Sequence, residues 1–183
     1  MTPKAELYKQ YPVITIITYN GTTLLHFIIG GLILFHTNKF WGDFGIAFGS
    51  MYIFFSLVEM YVLMPLQVCK NCVYFKLENG ICVSGLNLLS RKLTGPGATS
   101  VFSKRAKGVF CPNNLYVLSL IFPIFCGIPI LVFNYSRTLL ALVVFLAALL
   151  LTRFLFVIPK LACVHCLSKF NCPQAGLMGV REK

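Results

Sequence analysis

Charged residues are scarce in this chain, and acidic residues are the scarcest of all. Of its 183 residues, 11% are charged, with five Asp and Glu against sixteen Lys and Arg, whereas 57% are apolar. Soluble domains are roughly 45–50% apolar and about 25% charged. The composition therefore excludes an ordinary soluble domain and predicts an integral membrane protein.

Several functional signatures are also missing. Of three histidines, only His26 and His36 lie in an apolar segment; being about 15 Å apart along one helix, they cannot ligate one haem together. Two interpretations of His26 remain: it lies in a quinone-binding region, or it ligates a haem shared with a partner subunit. No nucleophile, acid–base pair, nucleotide loop or nucleic-acid motif is visible. We expect no nucleic-acid partner, and a carrier or anchor subunit of a membrane oxidoreductase complex rather than a complete enzyme.

Four apolar segments are long enough to cross a bilayer, whose core of about 30 Å needs roughly 20 helical residues. They are residues 13–36, 44–65, 115–134 and 138–158. Thirteen of the sixteen Lys and Arg lie in the two termini and in the loop 66–114. By the positive-inside rule, this multi-pass protein has both termini and that loop in the cytoplasm.

One motif occurs twice, each time at the end of an apolar segment. Pro65 precedes Cys69-x2-Cys72, and 94 residues later Pro159 precedes Cys163-x2-Cys166. A third cysteine follows in each copy, and then a Gly-Leu pair. The pattern predicts an all-α membrane domain of two parallel two-helix repeats, residues 1–94 and 95–183, with cytoplasmic cysteine-rich ends. Parallel repeats are related by an axis along the membrane normal, which would bring those ends together.

Paired thiols in a reducing compartment favour metal ligation over structural disulfides. An iron–sulfur cluster is the first prediction, because a single zinc site would leave three cytoplasmic cysteines unused, and structural zinc is the alternative. The candidate ligands are Cys69, Cys72, Cys82, Cys111, Cys163, Cys166, Cys172 and His165. The eighth cysteine, Cys126, lies within the third apolar segment and is predicted to pack there as a small apolar side chain.

Short resemblances to known families accompany these cysteines. The tail Cys163-x2-Cys166-x5-Cys172-Pro173 is similar, over about ten residues, to the end of a bacterial ferredoxin motif, but it lacks the middle cysteine. Cys-x2-Cys pairs in four-helix membrane proteins also resemble quinone-linked disulfide-forming enzymes of the vitamin K epoxide reductase kind, which work on the opposite, oxidising side. Four-helix palmitoyltransferases carry an Asp-His-His-Cys sequence, which is absent here. No family is assigned.

Two charges lie inside the predicted helices. Glu59 and Arg153 each precede the motif proline by six residues, which puts an acid and a base at equivalent depth. An unpaired charge at such depth is costly, so charged residues inside a membrane are usually paired or have a functional role. We expect an intramembrane ion pair between them; in the other interpretation, Glu59 carries protons beside a quinone headgroup.

The cytoplasmic loop carries further basic residues. Leu86 to Leu93 form a short amphipathic helix with Arg91 and Lys92, which either lies at the membrane interface or packs on the protein's own ends. Lys104, Arg105 and Lys107 are expected to contact lipid headgroups or an acidic protein partner on the cytoplasmic side.

These observations predict a membrane redox subunit. Its iron–sulfur site would relay electrons from a soluble donor to a membrane quinone or to a partner subunit. The alternative is a non-redox membrane scaffold or assembly factor stapled by structural zinc.

Overall fold

A computed structural model of the chain describes residues 6–38, 42–104 and 112–180. Within these ranges the protein is helical, and its only extended pairing consists of two isolated bridges. Four helices are long and apolar enough to cross a membrane, which confirms the predicted four-helix membrane protein. The α-helical parts of these four spans are α1 (Val13–Phe35), α2 (Phe44–Val58), α6 (Pro112–Phe133) and α7 (Arg137–Thr152).

Two of the spanning helices continue beyond their predicted ends. After α2 the chain forms a π-helix, Glu59–Val68, and then a 3-10 turn, Cys69–Asn71. After α7 it forms a second π-helix, Arg153–Cys163. The predicted ends at residues 65 and 158 were therefore too early. Proline lacks the N–H that an α-helix needs, but a wider π-helical turn with i→i+5 hydrogen bonds accommodates it, as in the bond from Val164 N to the Pro159 carbonyl (3.3 Å).

The four short helices lie at the cysteine-rich end of the chain or in its loop. They are α3 (Val73–Lys76), α4 (Leu86–Leu93), α5 (Thr99–Lys104) and α8 (Pro173–Leu177). Helix α4 packs on the protein's own helix ends, because Leu86 and Leu89 join the core of the bundle and Ser90 Oγ donates to the Pro65 carbonyl at 2.7 Å. Leu88 on the opposite face and Leu93 at the end of the helix are exposed.

Helix α1 is the centre of the bundle and contacts all three other spanning helices. Its approach to α2 depends on small residues: a Cβ at Gly31 would lie 2.4 Å from Ile53 Cδ1, and one at Gly49 would lie 2.7 Å from the Gly31 carbonyl oxygen. Small residues allow such close backbone contact in membrane bundles. In addition, His26 is fully buried and its Nε2 donates to the Leu120 carbonyl of α6 at 2.7 Å.

A proline in α6 creates a second link between helices. Pro123 has no N–H to offer the carbonyl of Ser119, and the Tyr52 hydroxyl of α2 donates to that carbonyl at 2.9 Å instead. Gly30 lets the Pro123 ring approach α1 closely, since a Cβ at Gly30 would be 2.8 Å from Pro123 Cγ. Three helices are thus held together at one level of the membrane.

Candidate functional site

The N-terminal segment joins the two cysteine-bearing ends of the molecule. Tyr8 N donates to the His165 carbonyl at 2.9 Å, while Ile81 N donates to the Lys9 carbonyl and Tyr11 N donates to the Ile81 carbonyl. Successive residues of an extended chain point their backbone groups to opposite sides. The segment therefore lies between the loop that follows the first cysteine pair and the loop that contains the second pair.

Tyrosine side chains reinforce this junction. The Tyr74 hydroxyl donates to the Tyr8 carbonyl at 2.6 Å and accepts from Leu167 N at 3.3 Å, and the Tyr11 hydroxyl donates to the Ala162 carbonyl. The Tyr8 ring stacks on the His165 ring at 4.4 Å between centroids. Since His165 Nδ1 also donates to the Glu6 carbonyl, this histidine has a structural role in the junction.

Five of the predicted cysteine ligands lie close enough to Tyr11, to Tyr74 or to one another for their charges to interact; they are Cys72, Cys82, Cys163, Cys166 and Cys172. Cys69 lies in the 3-10 turn that ends the second span, and Cys111 falls outside the described residues. No disulfide joins the described cysteines.

No metal-binding group is recognised at this gathering of thiols. Among residues 6–38, 42–104 and 112–180, no group of three or more His, Cys, Asp or Glu side chains could hold a metal ion. Cys72 of the first cysteine loop nevertheless lies close to Cys166 and Cys172 of the second, and its Sγ atom is 3.1 Å from Ser168 Oγ. The iron–sulfur cluster and the alternative zinc site stay predictions, and the contacts that join the two ends in this structure include hydrogen bonds.

Burial holds the Cys72 and Cys166 thiols, which lie beyond the membrane spans, in their protonated form. Burial raises the pKa of Cys166 to about 12, and the neighbouring Cys72 thiol adds to the rise. Burial likewise raises the pKa of Cys72, against a hydrogen bond with Ser168 (Sγ to Oγ 3.1 Å) that lowers it. Because the thiolate is the nucleophile, the raised pKa makes both thiols weak nucleophiles at neutral pH.

Arg91 holds the first cysteine loop in shape. Its guanidinium donates to three carbonyls at the end of α3, those of Tyr74, Phe75 and Leu77. Asn87 completes the arrangement by donating to the Gly80 carbonyl at 2.8 Å and by accepting from the backbone of Cys82. These hydrogen bonds of Arg91 are made to the protein itself, and its predicted contact with lipid or a partner stays a prediction.

The other predicted contact residues remain predictions. Lys92 is exposed on α4, as a contact with lipid or with a protein partner requires. Lys104 ends α5, while Arg105 and Lys107 fall outside the described residues.

Glu59 lines a large pocket between the second and third spanning helices. The pocket measures about 440 Å³, and its walls are almost entirely apolar and aromatic; they include Phe48, Met51, Tyr52, Phe55, Ser56, Leu63, Leu115, Leu118, Ser119 and Phe122. Met51, Phe55 and Leu118 are more than half exposed, so the pocket opens on the outer surface of the bundle. Glu59 is only 7% exposed, and its Oε1 atom has no hydrogen-bond partner in the protein.

Arg153 has entirely different surroundings. It is 1% exposed and donates hydrogen bonds to the hydroxyl of Tyr116 and to Thr22 Oγ1 (3.4 Å). Its guanidinium carbon lies 4.8 Å from the centre of the Tyr19 ring and 5.5 Å from that of Tyr116, which are cation–π distances. Aromatic rings and hydroxyls, rather than a carboxylate, surround this charge.

The predicted ion pair between Glu59 and Arg153 is not formed. Glu59 lies against Ser119 on the pocket side of α6, whereas Arg153 binds Tyr116 three residues earlier. Residues three apart on an α-helix are close neighbours, but each charge here has its own partners. His26 does not line the pocket either, and the bond from its Nε2 to Leu120 supports an interhelical role rather than ligation of haem.

Comparisons with protein-family models, with curated proteins and with solved structures find no match for this chain. The function of the candidate sites is therefore inferred from their geometry. Sequence reasoning missed the tyrosines around the cysteines and those around Arg153. One signal was available: a buried arginine in an apolar span needs hydrogen-bond partners, and Tyr19 and Tyr116 are among the few polar groups in neighbouring spans.

Proposed function

We propose that this protein is the quinone-binding membrane subunit of an oxidoreductase, with Glu59 as the group that exchanges protons with the quinone. The pocket around Glu59 carries this proposal. Its 440 Å³ lies in the range of about 300–1,000 Å³ that is typical of small-molecule sites, which are mostly apolar with a few convergent polar groups. A quinone headgroup needs that combination of flat aromatic walls and one hydrogen-bonding group.

The position of the pocket fits a ligand that arrives through lipid. Its rim consists of exposed side chains of membrane-spanning helices, so an isoprenoid tail can remain in the bilayer while the headgroup enters. Phe48, Phe55 and Phe122 offer ring faces. The buried Glu59 Oε1 atom has no protein partner and is free to bond a quinone oxygen.

The chemistry balances as a two-electron step. A quinone takes up two electrons and two protons to become a quinol; in this proposal the electrons come from a redox protein that docks on the cysteine-rich end, and Glu59 passes the protons. Glu59 lies ten residues before Cys69 on the same spanning helix. In this proposal the redox centre belongs to the partner.

We further propose that the two helical hairpins are repeats, with their cysteine-rich ends and both termini in the cytoplasm. In support, the two π-helices begin at Glu59 and Arg153, which are separated by the same 94 residues as the cysteine pairs. The distribution of basic residues supports the cytoplasmic side.

The first experiment is to extract and identify quinones from the protein purified in detergent, and then to titrate the stripped protein with a short-chain quinone. Leu118→Trp should fill the pocket and weaken binding about tenfold, a loss of about 1.4 kcal/mol. Ile121→Trp is the matched control, because Ile121 is an exposed residue on the same helix that does not line the pocket.

Glu59→Gln tests the proton step separately. Glutamine preserves the size and hydrogen-bonding ability of the side chain, so binding should persist, while reduction of the quinone by an artificial electron donor should lose its dependence on pH. Equal affinity in Leu118→Trp and Ile121→Trp, together with no quinone in the extract, would rule out the proposal.

A further inference from the structure

The polar side chains of the Glu59 pocket are largely occupied by one another and by the backbone. The Tyr52 hydroxyl donates to the Ser119 carbonyl at 2.9 Å, and Ser119 Oγ donates to the Tyr116 carbonyl at 2.8 Å. Ser56 is 2% exposed and interacts with the Tyr52 side chain. Glu59, whose buried Oε1 atom has no partner in the described protein, is therefore the main hydrogen-bonding group that the wall presents to a ligand.

The aromatic rings of the wall suit a flat ligand. Tyr52 and Phe122 have ring planes within 24° of each other and centroids 6.2 Å apart, while Phe48 meets Phe122 edge-on, at 73° and 6.0 Å. Aromatic rings at such separations attract each other in offset-stacked or edge-to-face pairs. A planar headgroup of two fused rings continues this pattern, with more ring area in contact than a single ring has.

We infer that the pocket selects a naphthoquinone, the headgroup of menaquinones, over the dimethoxybenzoquinone headgroup of ubiquinones; this inference rests on the quinone function proposed above. With a methyl group in place of the isoprenoid tail, the two headgroups contain the same number of non-hydrogen atoms. The pocket volume of about 440 Å³ therefore does not discriminate between them. They differ in polarity, because ring carbons of the naphthoquinone take the place of the two methoxy groups.

The cost of burying oxygen decides between the two headgroups. A buried acceptor that lacks a hydrogen-bond donor has lost its bonds with water and gained none in return. Glu59 can serve one quinone carbonyl, but many other side chains that the structure places in the wall, such as Met51, Leu63 and Leu115, carry no N–H or O–H group. Methoxy groups also turn out of the ring plane, which interrupts contact with the flat aromatic wall.

The test compares dimethylnaphthoquinone with dimethoxydimethylbenzoquinone, two probes whose quinone rings have no position open to addition of a thiol. Each is titrated against the detergent-purified protein, and Leu118→Trp, which fills the pocket, supplies the background from partition into micelles. Above this background the naphthoquinone should bind about tenfold tighter, since one unmet hydrogen bond commonly costs that factor. Equal affinities would overturn the selectivity and leave the quinone function intact, whereas no saturable binding of either probe would remove the quinone function itself.

Variants that add a donor to the wall test the origin of the selectivity. Leu115→Asn and Met51→Gln each introduce an amide of nearly the same size as the native side chain, and at least one should raise the affinity for the benzoquinone relative to the naphthoquinone. Ile121→Asn, on the same helix as Leu115 but outside the pocket, should leave the ratio unchanged. An unaltered ratio in both pocket variants, measured on folded protein, would contradict selection by unpaired oxygens.

The bound quinone provides an independent measurement. The native protein is expressed in a bacterial host whose membrane contains both quinone classes, and the quinones extracted from the purified protein are compared with those of the same membranes. The extract should be enriched in menaquinone about tenfold, the factor expected for the probes. An extract with the composition of the membrane would contradict the selection of a naphthoquinone.

Discussion

Glu59 and Arg153 begin the two π-helices of the molecule, yet the surroundings of these two charges are opposite. The acid opens onto an apolar pocket on the outside of the bundle, with one oxygen unpartnered. The base is enclosed by two tyrosine rings and two hydroxyls. Two positions equally spaced from a motif proline therefore have different surroundings: Glu59 lines an open pocket, whereas Arg153 is enclosed.

The cysteine-rich ends differ much less from each other than the membrane interiors do. Cys72 and Cys166 are at corresponding positions, and burial raises the pKa of both thiols. Each thiol lies near the Tyr74 ring. The similarity of the two cysteine-rich ends and the difference between the surroundings of Glu59 and Arg153 can both be tested.

The largest expected effect concerns the reactivity of Cys166. With a pKa of about 12, roughly one thiol in ten thousand is ionised at pH 8, whereas an exposed cysteine with a pKa of about 8.5 is substantially ionised. Alkylation of Cys166 by N-ethylmaleimide should therefore be about a thousandfold slower than that of an exposed cysteine. The rate should rise about tenfold per pH unit between pH 8 and 10, because the thiolate fraction rises by that factor below the pKa.

Peptide mass spectrometry measures this rate at each cysteine. Glu78→Cys provides the exposed reference, since Glu78 is an exposed residue of the loop that follows the first cysteine pair. Equal rates at positions 78 and 166, or a rate at Cys166 that does not depend on pH, would contradict the protonated state of the thiol.

A smaller effect is expected from Tyr116→Phe, which probes the enclosure of Arg153. The variant leaves a buried guanidinium N–H group without its acceptor, and such a loss costs about 1–3 kcal/mol. The free energy of unfolding, measured by titration with dodecyl sulfate in mixed micelles, should fall by that amount. Tyr135→Phe is the control, because Tyr135 is 67% exposed, and it should change stability by less than about 0.5 kcal/mol. Similar values for the two variants would refute the enclosure.

The junction made by the N-terminal segment should respond more weakly and locally. Tyr74→Phe removes one hydroxyl that donates to the Tyr8 carbonyl and accepts from Leu167 N, and each hydrogen bond contributes about 0.5–1.5 kcal/mol. Hydrogen exchange at Leu167 N and at Tyr8 N should accelerate, by up to about tenfold for each 1.4 kcal/mol lost. Tyr61→Phe, which removes a hydroxyl inside the second span, should leave both amides unchanged. Unaltered exchange in Tyr74→Phe would show that the junction depends on the backbone alone.

The sequence was sufficient for the elements that depend on composition and length. The four spans follow from apolar runs of about 20 residues, and the first begins at Val13 as predicted. The structure placed the ends of two spans beyond Pro65 and Pro159 because a π-helix accommodates proline, and a rule based on α-helical hydrogen bonds does not foresee this.

The candidate sites were harder to predict, because spacing shows which residues are present but not which way they face. The cysteine pairs predicted that the two ends come together, but the sequence did not reveal that the segment around Tyr8 and Tyr11 joins them, because no sequence period relates the N-terminus to residues 81 and 165. In the same way, equal spacing from a proline predicted that Glu59 and Arg153 would meet. Which side of α6 each charge faces depends on tertiary packing, and the pattern of one chain does not contain that information.

The smallest expected effect is the most direct test of this contrast. In a double-mutant cycle of Glu59→Gln and Arg153→Gln, the coupling energy should be below about 0.5 kcal/mol, because groups without shared partners contribute additively. Glu59→Gln alone should leave stability nearly unchanged, whereas breaking a buried ion pair costs about 3–5 kcal/mol. The single variant therefore gives an answer even if the arginine variant is too unstable to measure. A coupling of about 1.5 kcal/mol or more would mean that the two charges are joined in the membrane, and that the pocket at Glu59 and the enclosure of Arg153 form one site rather than two.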